Sequence, residues 1–182
     1  MVPTLTATLG VKGHRPTVGT RDNKDLLYIF AVVNLVTAAV HTNTLESPKD
    51  AKKRTGQSKT RRLQEAFAAH LRHVGRVYPQ KDYPQVVLVI DNAPWHCGQP
   101  IDEALKDNPH LKFKRLPSYS PQLNPIERFW KKLRRRATHN RLFDALADLK
   151  ASLRASLCYF QTLRHKVKSI LEGRQPKRKV AK

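Results

Sequence analysis

Apolar residues recur along this chain at two spacings, and the alternation between them divides it into strands and helices. Val86 to Ile90 is an unbroken run of β-branched residues and leucine between polar flanks, the pattern of a strand buried on both faces and paired in parallel. Leu26 to Val33 and Val36 to Thr42 are further β-branched runs, broken at Asn34, which predicts an antiparallel hairpin. Leu111 to Leu116 alternates apolar and basic residues as a half-buried strand does. Helical spacing governs the other segments. Leu63, Phe67, Leu71, Val74 and Tyr78 predict a helix over Thr60 to Tyr78, stopped by Pro79, and Pro100 to Lys106 reads as a short helix. Ile126, Phe129, Trp130 and Leu133 recur at i, i+3, i+4 and i+7, with Asn124 as N-cap, Pro125 at the first helical position and Glu127 as capping-box partner. Phe143, Leu146, Leu149, Leu153, Leu157 and Phe160 mark a last long helix.

The segments between these elements are less patterned. Met1 to Thr20 is rich in Thr, Gly and Pro and reads as irregular backbone, with a short strand at Arg15 to Val18. Glu46 to Lys59 is polar and basic, a solvated connection, and the chain closes on a basic tail within residues 161–182. The element order is hairpin, helix, strand, helix, strand, helix, helix, which is α/β.

Composition adds a partner class. The 35 basic residues against 14 acidic ones leave a net charge of +21, the electrostatic footprint of a nucleic-acid binder, although a ribosomal-type or membrane-surface protein shares it. Cys97 and Cys158 give no disulfide framework and no four-ligand zinc pattern, as suits a reducing, cytoplasmic compartment. The most hydrophobic window, Leu26 to Val40, falls short of the roughly 20 residues that a spanning helix needs, so no membrane partner is expected.

Two carboxylates stand at element ends. Asp91 follows the apolar strand, at the edge where open α/β sheets place ligands, and Glu127 opens a helix. Such a pair suits a hard cation such as Mg²⁺, which takes carboxylate oxygen and few protein ligands. Taken alone, an Asp after a strand is more often a turn residue, and Glu127 is equally a cap.

The strings DNAPWH, from Asp91, and LPSYSPQLNPIERFW, ending at Trp130, resemble the catalytic core of mariner-superfamily DDE transposases of the bacterial insertion-sequence branch. That family's second acid opens a D-N-A-x-x-H string, and its third is the Glu of Y-S-P-x-L-N-P-I-E-x-x-W. These fall on Asp91 and Glu127, 36 positions apart, and weaker similarity runs from about Gly10 to Leu157.

The resemblance implies a ribonuclease H-like mixed sheet of five strands flanked by helices, occupying residues 1–160. It also implies two-metal phosphoryl transfer with Mg²⁺ or Mn²⁺, duplex DNA (element ends and target) as partner, and a bacterial, nucleoid-associated setting; it allows a homodimer. The family's K-G-x-R-P string, matched by Lys12 to Pro16, follows its first catalytic Asp, so the first, central strand and that Asp are expected to precede Met1. On this expectation the chain is truncated and inactive alone, with Asp22 and Asp25 the nearest substitutes. The alternatives are a truncated or repurposed DNA-binding protein without catalysis, and an unrelated ribonuclease H-like nuclease.

Several further residues carry two readings. His96 and Asn92 match the motif as supports for Asp91, against a local cap or hydrogen bond. Trp95 and Tyr119 either pack the site or stack on a flipped base. Lys131, Lys132, Arg134, Arg135 and Arg136 follow Glu127 on its helix, as a phosphate-contacting stripe or a solvated face.

Overall fold

The computed structural model describes residues 25–118, 120 and 123–173. Its elements are β1 (Leu26–Val33), β2 (Val40–Ser47), α1 (Ala51–Thr55), α2 (Lys59–Val77), β3 (Val86–Ile90), a 3₁₀ turn at Pro94–His96, α3 (Gln99–Asp107), β4 (Leu111–Arg115), α4 (Ile126–Ala137), α5 (Leu146–Thr162) and α6 (Arg164–Leu171). Every strand and helix expected between Leu26 and Phe160 is present, in the expected order. The strand expected at Arg15 to Val18 and the basic tail from Arg174 onward lie outside the described residues. Two compact units divide the chain: the described residues 25–32, 41–118, 120 and 123–124 belong to the first, and residues 33–40 and 125–173 to the second.

In the first unit α2 supplies the spine of the core. Its apolar stripe buries Leu63, Phe67, Leu71 and Val74, and these join Phe30 of β1, Leu88 and Ile90 of β3, Ile101 and Ala104 of α3 and Leu111 of β4 in one cluster. Ser58 caps the helix through its hydroxyl oxygen, which accepts from Arg61 N at 3.2 Å. The helix ends at Val77, two residues before Pro79, a residue that cannot continue it. Glu46 to Lys59 is more ordered than a solvated connection, because Ala51 is buried and α1 forms around it.

The strands form two separate two-stranded sheets among the described residues, β1 with β2 and β3 with β4, where one mixed sheet was expected. β3 and β4 run parallel, with Val86 opposite Leu111 and Ile90 opposite Arg115. The expectation that β3 is buried on both faces is corrected. Leu88 and Ile90 lie 7% and 9% exposed beneath the α2 core, while Val87 and Val89 are 57% and 45% exposed. A strand displays alternate residues on opposite faces, so a uniformly apolar run cannot report that only one face meets a helical layer. Val87 and Val89 stand opposite Lys112 and Lys114, which are exposed too.

The hairpin turns at Asn34 as the sequence pattern predicts, but the turn is longer and β2 begins later, at Val40. Asn34 Oδ1 accepts from the backbone N–H of Val36 and Thr37, each at 2.9 Å, so Val36 enters the turn and is 81% exposed. This turn belongs to the second unit, where Val40 is buried and its carbonyl accepts from Gln161 Nε2 of α5 at 3.1 Å.

Three helices make the rest of that unit. Phe129, Leu133 and Ala137 line the buried face of α4, and Leu149, Leu153, Leu157 and Phe160 that of α5. The Phe129 and Phe160 rings meet edge to face at 5.3 Å. The basic tail expected from residue 161 is helical over Arg164–Leu171, because Val167 and Leu171 stand one turn apart and both are buried. Arg128 of α4 donates to the Leu171 carbonyl and fastens α6 by its last turn.

Candidate active site and nucleic-acid interface

Asp91 takes its position from β3, which ends one residue before it. Its Oδ1 accepts from Ala93 N at 3.1 Å, an Asx turn that reverses the chain into the Pro94–His96 turn. That turn returns His96 to the carboxylate it follows. His96 Nδ1 lies 2.9 Å from Asp91 Oδ1 and 3.2 Å from the Asp91 carbonyl, and its ring packs 4.4 Å from that of Phe67.

Burial lowers the pKa of His96, against the raising effect of Asp91. The imidazole is therefore neutral at pH 7, and the contact is an Nδ1–H donated to a carboxylate rather than an ion pair. With Oδ1 thus engaged, Asp91, whose side chain is 58% exposed, presents Oδ2 to solvent as a hard oxygen donor.

Three side chains hold the strand-end loop, one of its own and two from outside it. Asn92 Nδ2 donates to the Leu116 carbonyl at 2.9 Å, tying the end of β3 to the end of β4. Asn92 thereby positions the loop through β4 and has no contact with the Asp91 carboxylate. Arg115 donates to the His96 carbonyl at 2.9 Å, and Gln64 of α2 donates to the Cys97 carbonyl at 2.7 Å. Neither Gln64 nor Arg115 was legible as a site residue, because what they hold is backbone, distant in sequence. Trp95 packs against the α2 core, which is the packing reading of that residue, and Tyr119 lies outside the described residues.

Glu127 belongs to the second unit, in the first turn of α4, and is half-buried. The helix begins at Ile126 with Pro125 preceding it in helical conformation, so Pro125 rather than Asn124 stands at the cap position. A carboxylate in the first turn remains favourable to the helix dipole. Among the described residues no group of three or more His, Cys, Asp or Glu side chains could hold a metal ion. Asp25, the described one of the two substitutes, accepts at Oδ1 from Lys49 N at 2.8 Å, before β1 begins.

Lys131, Lys132, Arg134, Arg135 and Arg136 are all exposed along α4. The Arg136 guanidinium lies over the Tyr159 ring of α5, 3.7 Å from its centroid.

Fold and residues together define an α/β protein that presents carboxylates at element ends and a strongly cationic helix face. Residues 4–150 match the family described as DDE superfamily endonuclease, and the chain belongs to that family. In structure it is similar to the Mos1 mariner paired-end complex with Mn, with a TM-score of 0.58 at 18% identity. It is likewise similar to the Mos1 paired-end complex with left transposon end (0.57 at 19%) and to the Mos1 strand transfer complex (0.55 at 18%). These matches cover 94% of this chain and 49 to 50% of those chains, so it spans about half their length. An uncharacterized protein of Sinorhizobium fredii, y4pE/y4sA, is 36% identical over 85 residues, which are 47% of this chain and 58% of that protein. The DDE membership read from the motifs is thus borne out by the family match, and the likeness to the Mos1 structures is one of fold. No described helix is long and apolar enough to cross a membrane.

Proposed function

We propose that this chain is the catalytic-domain portion of a mariner-type DDE transposase, acting on duplex DNA in a bacterial cytoplasm, at the nucleoid. The single observation that carries the reading is the setting of Asp91. It stands at the carboxyl end of a parallel strand, with one oxygen held by Ala93 N–H and His96 and the other left for a ligand. Asp91 and Glu127 are the residues that would hold Mg²⁺ or Mn²⁺, and their carboxylate oxygens suit either ion. When bound, such ions supply charge stabilisation at a phosphate under attack by water or a 3′-hydroxyl. The structure of a Mos1 complex with Mn supports this choice of ion.

The chain's own residues prepare that chemistry. His96 fixes the rotamer of Asp91, and Asn92, Arg115 and Gln64 restrain the loop on which both stand. The cationic face of α4 would hold the phosphate backbone without reading bases.

A strand joining the β1–β2 hairpin to β3 would complete the five-stranded sheet and would bring the third carboxylate. Among the described residues the two sheets share one core without hydrogen bonding to each other, which supports that reading. Because the motif strings match two of the family's three acids, Asp91 and Glu127, we propose that the chain by itself does not cut DNA. The net charge of +21 by itself equally supports the second reading, a non-catalytic DNA-binding protein. In the working enzyme residues 1–160 would form the catalytic domain, with α6 continuing its helical layer.

Anisotropy titration of a labelled, sequence-neutral duplex across salt concentrations tests the DNA-binding part. Binding should weaken steeply with salt, by a log–log slope of about 0.9 per phosphate neutralised. Replacing Lys131, Lys132, Arg134 and Arg135 together by Gln should flatten that slope. A flat response from the unaltered chain, or no binding at low salt, would overturn the reading.

A further inference from the structure

We infer that Arg136, Tyr159 and Lys166 form one phosphate cradle, contributed by three different helices, which takes a backbone phosphate of duplex DNA. The inference rests on the duplex-DNA reading above and adds to it Tyr159 of α5 and Lys166 of α6.

The geometry gathers two cations on one ring. The Arg136 guanidinium carbon lies 3.7 Å from the Tyr159 centroid and Lys166 Nζ lies 4.8 Å from it. Lys166 also donates to the Tyr159 hydroxyl oxygen. An exposed cation–π contact contributes only ~0.5–1 kcal/mol, and here the like charges also repel each other. Among the described residues no carboxylate pairs with either cation. Two unneutralised cations held against one phenol make a site that gains most from an anion.

Donor direction narrows the anion. A guanidinium and an ammonium offer only N–H donors. The Tyr159 oxygen already accepts from Lys166, so its own O–H is left to donate elsewhere. Every polar group in the cradle is a donor, the complement of a phosphate, whose non-bridging oxygens only accept. Arg136 and Lys166 are exposed and Tyr159 is half-buried, which leaves the cradle open to a polymer lying across it. Lys132 and Arg135, on the same helix as Arg136, stand ready for the neighbouring phosphates.

The test uses the full 182-residue chain and a labelled duplex titrated by anisotropy across salt. Arg136→Gln and Lys166→Gln should each lower the log–log salt slope by about 0.9, and the double variant by about 0.9 as well, because both cations serve one phosphate. Tyr159→Phe keeps the ring and both charges, so the slope should stay and affinity should fall about threefold to tenfold, the effect of one lost hydrogen bond. Thermal melts check the fold of each variant, with Lys166→Met as a second substitution that keeps length without charge.

Binding by the unaltered chain with unchanged slope in both single variants would overturn the cradle and leave the DNA reading standing. A double variant that loses about twice the single effect would mean two separate phosphates, and would overturn the shared site. Absence of duplex binding by the unaltered chain would overturn the DNA reading itself. A second arm follows inorganic phosphate by its ³¹P resonance at constant ionic strength. A saturable shift that Lys166→Gln abolishes, beside an unchanged duplex slope, would assign the cradle to free phosphate and overturn its assignment to DNA.

Discussion

His96 Nδ1 stands 2.9 Å from Asp91 Oδ1, and the same imidazole lies 4.4 Å from the Phe67 ring, so a core residue of α2 fixes the orientation of a strand-end carboxylate. The carboxylate is mobile only as far as that imidazole allows. Loss of the contact should therefore be felt in metal affinity before it is felt in stability. Mn²⁺ titration of the chain, followed by electron paramagnetic resonance, should show binding that His96→Ala weakens by about 10-fold, the lower end for a hydrogen-bond partner of a metal ligand. Asp91→Asn should remove it. Equal affinity in His96→Ala would show that Asp91 needs no support.

His70 sits in the core of the first unit at 0% exposure, and neither ring nitrogen has a hydrogen-bond partner. Burial, and then the charges of His73 and His41, lower its pKa to about 4. In the unfolded chain the group titrates near 6.5. The unfolded state therefore binds the extra proton first, so stability is full above pH 6.5 and is lost as pH falls toward 4. The loss over that window is ~3 kcal/mol if His70 acts alone. His73 stacks on the same ring at 6.4 Å, and His41, which contacts the Tyr78 hydroxyl, lies 6.2 Å from His73. Urea melts across this range should show the decline, and His70→Leu should flatten it and raise the midpoint at pH 5. An unchanged decline in His70→Leu would assign it to other groups.

Gly98 follows the site loop at φ +106°, and a Cβ there would come within 2.7 Å of Gln64 Nε2. Gly98→Ala should cost ~1–3 kcal/mol, from backbone strain and from displacement of the Gln64 bond to the Cys97 carbonyl. Combining it with Gln64→Ala should cost less than the two single changes added together, because they share one contact. Denaturant midpoints for the four proteins decide this, and strict additivity would mean that the collision is avoided by loop movement.

Plasmid nicking should stay at background for the chain alone with Mg²⁺ or Mn²⁺. Asp25 Oδ1 accepts from the Lys49 N–H just before β1, and Asp25→Asn should leave that background unchanged. Metal-dependent nicking by the chain alone, lost in Asp91→Asn or Glu127→Gln, would contradict the inactive reading.

Much of this protein was legible in its sequence, for reasons that are local. Helical spacing of Leu63, Phe67, Leu71 and Val74 set α2, since a 3.6-residue period leaves a single face to bury. Asp91 fell at the end of a strand because an apolar run ends where the first charged residue must meet water. Chain order and the two motif strings, and with them the family, needed no coordinates. What β3 does with its faces did, because alternation is invisible in a run that is apolar throughout: Val87 and Val89 are chemically like Leu88 and Ile90, and only the one-sided layer of α2 and α3 separates them. The support of Asp91 was half legible. His96 lies five residues along the same loop, but Gln64 and Arg115 reach that loop through backbone carbonyls, and a carbonyl has no sequence signature. Arg136, Tyr159 and Lys166 meet only because three helices pack, and the sequence offered each of them separately as an ordinary exposed or amphipathic residue. The sequence by itself determined the elements, the charge and the carboxylates, which follow from side-chain chemistry and period. The tertiary structure alone decided which face is buried and which distant donors converge, because both depend on what packs against what.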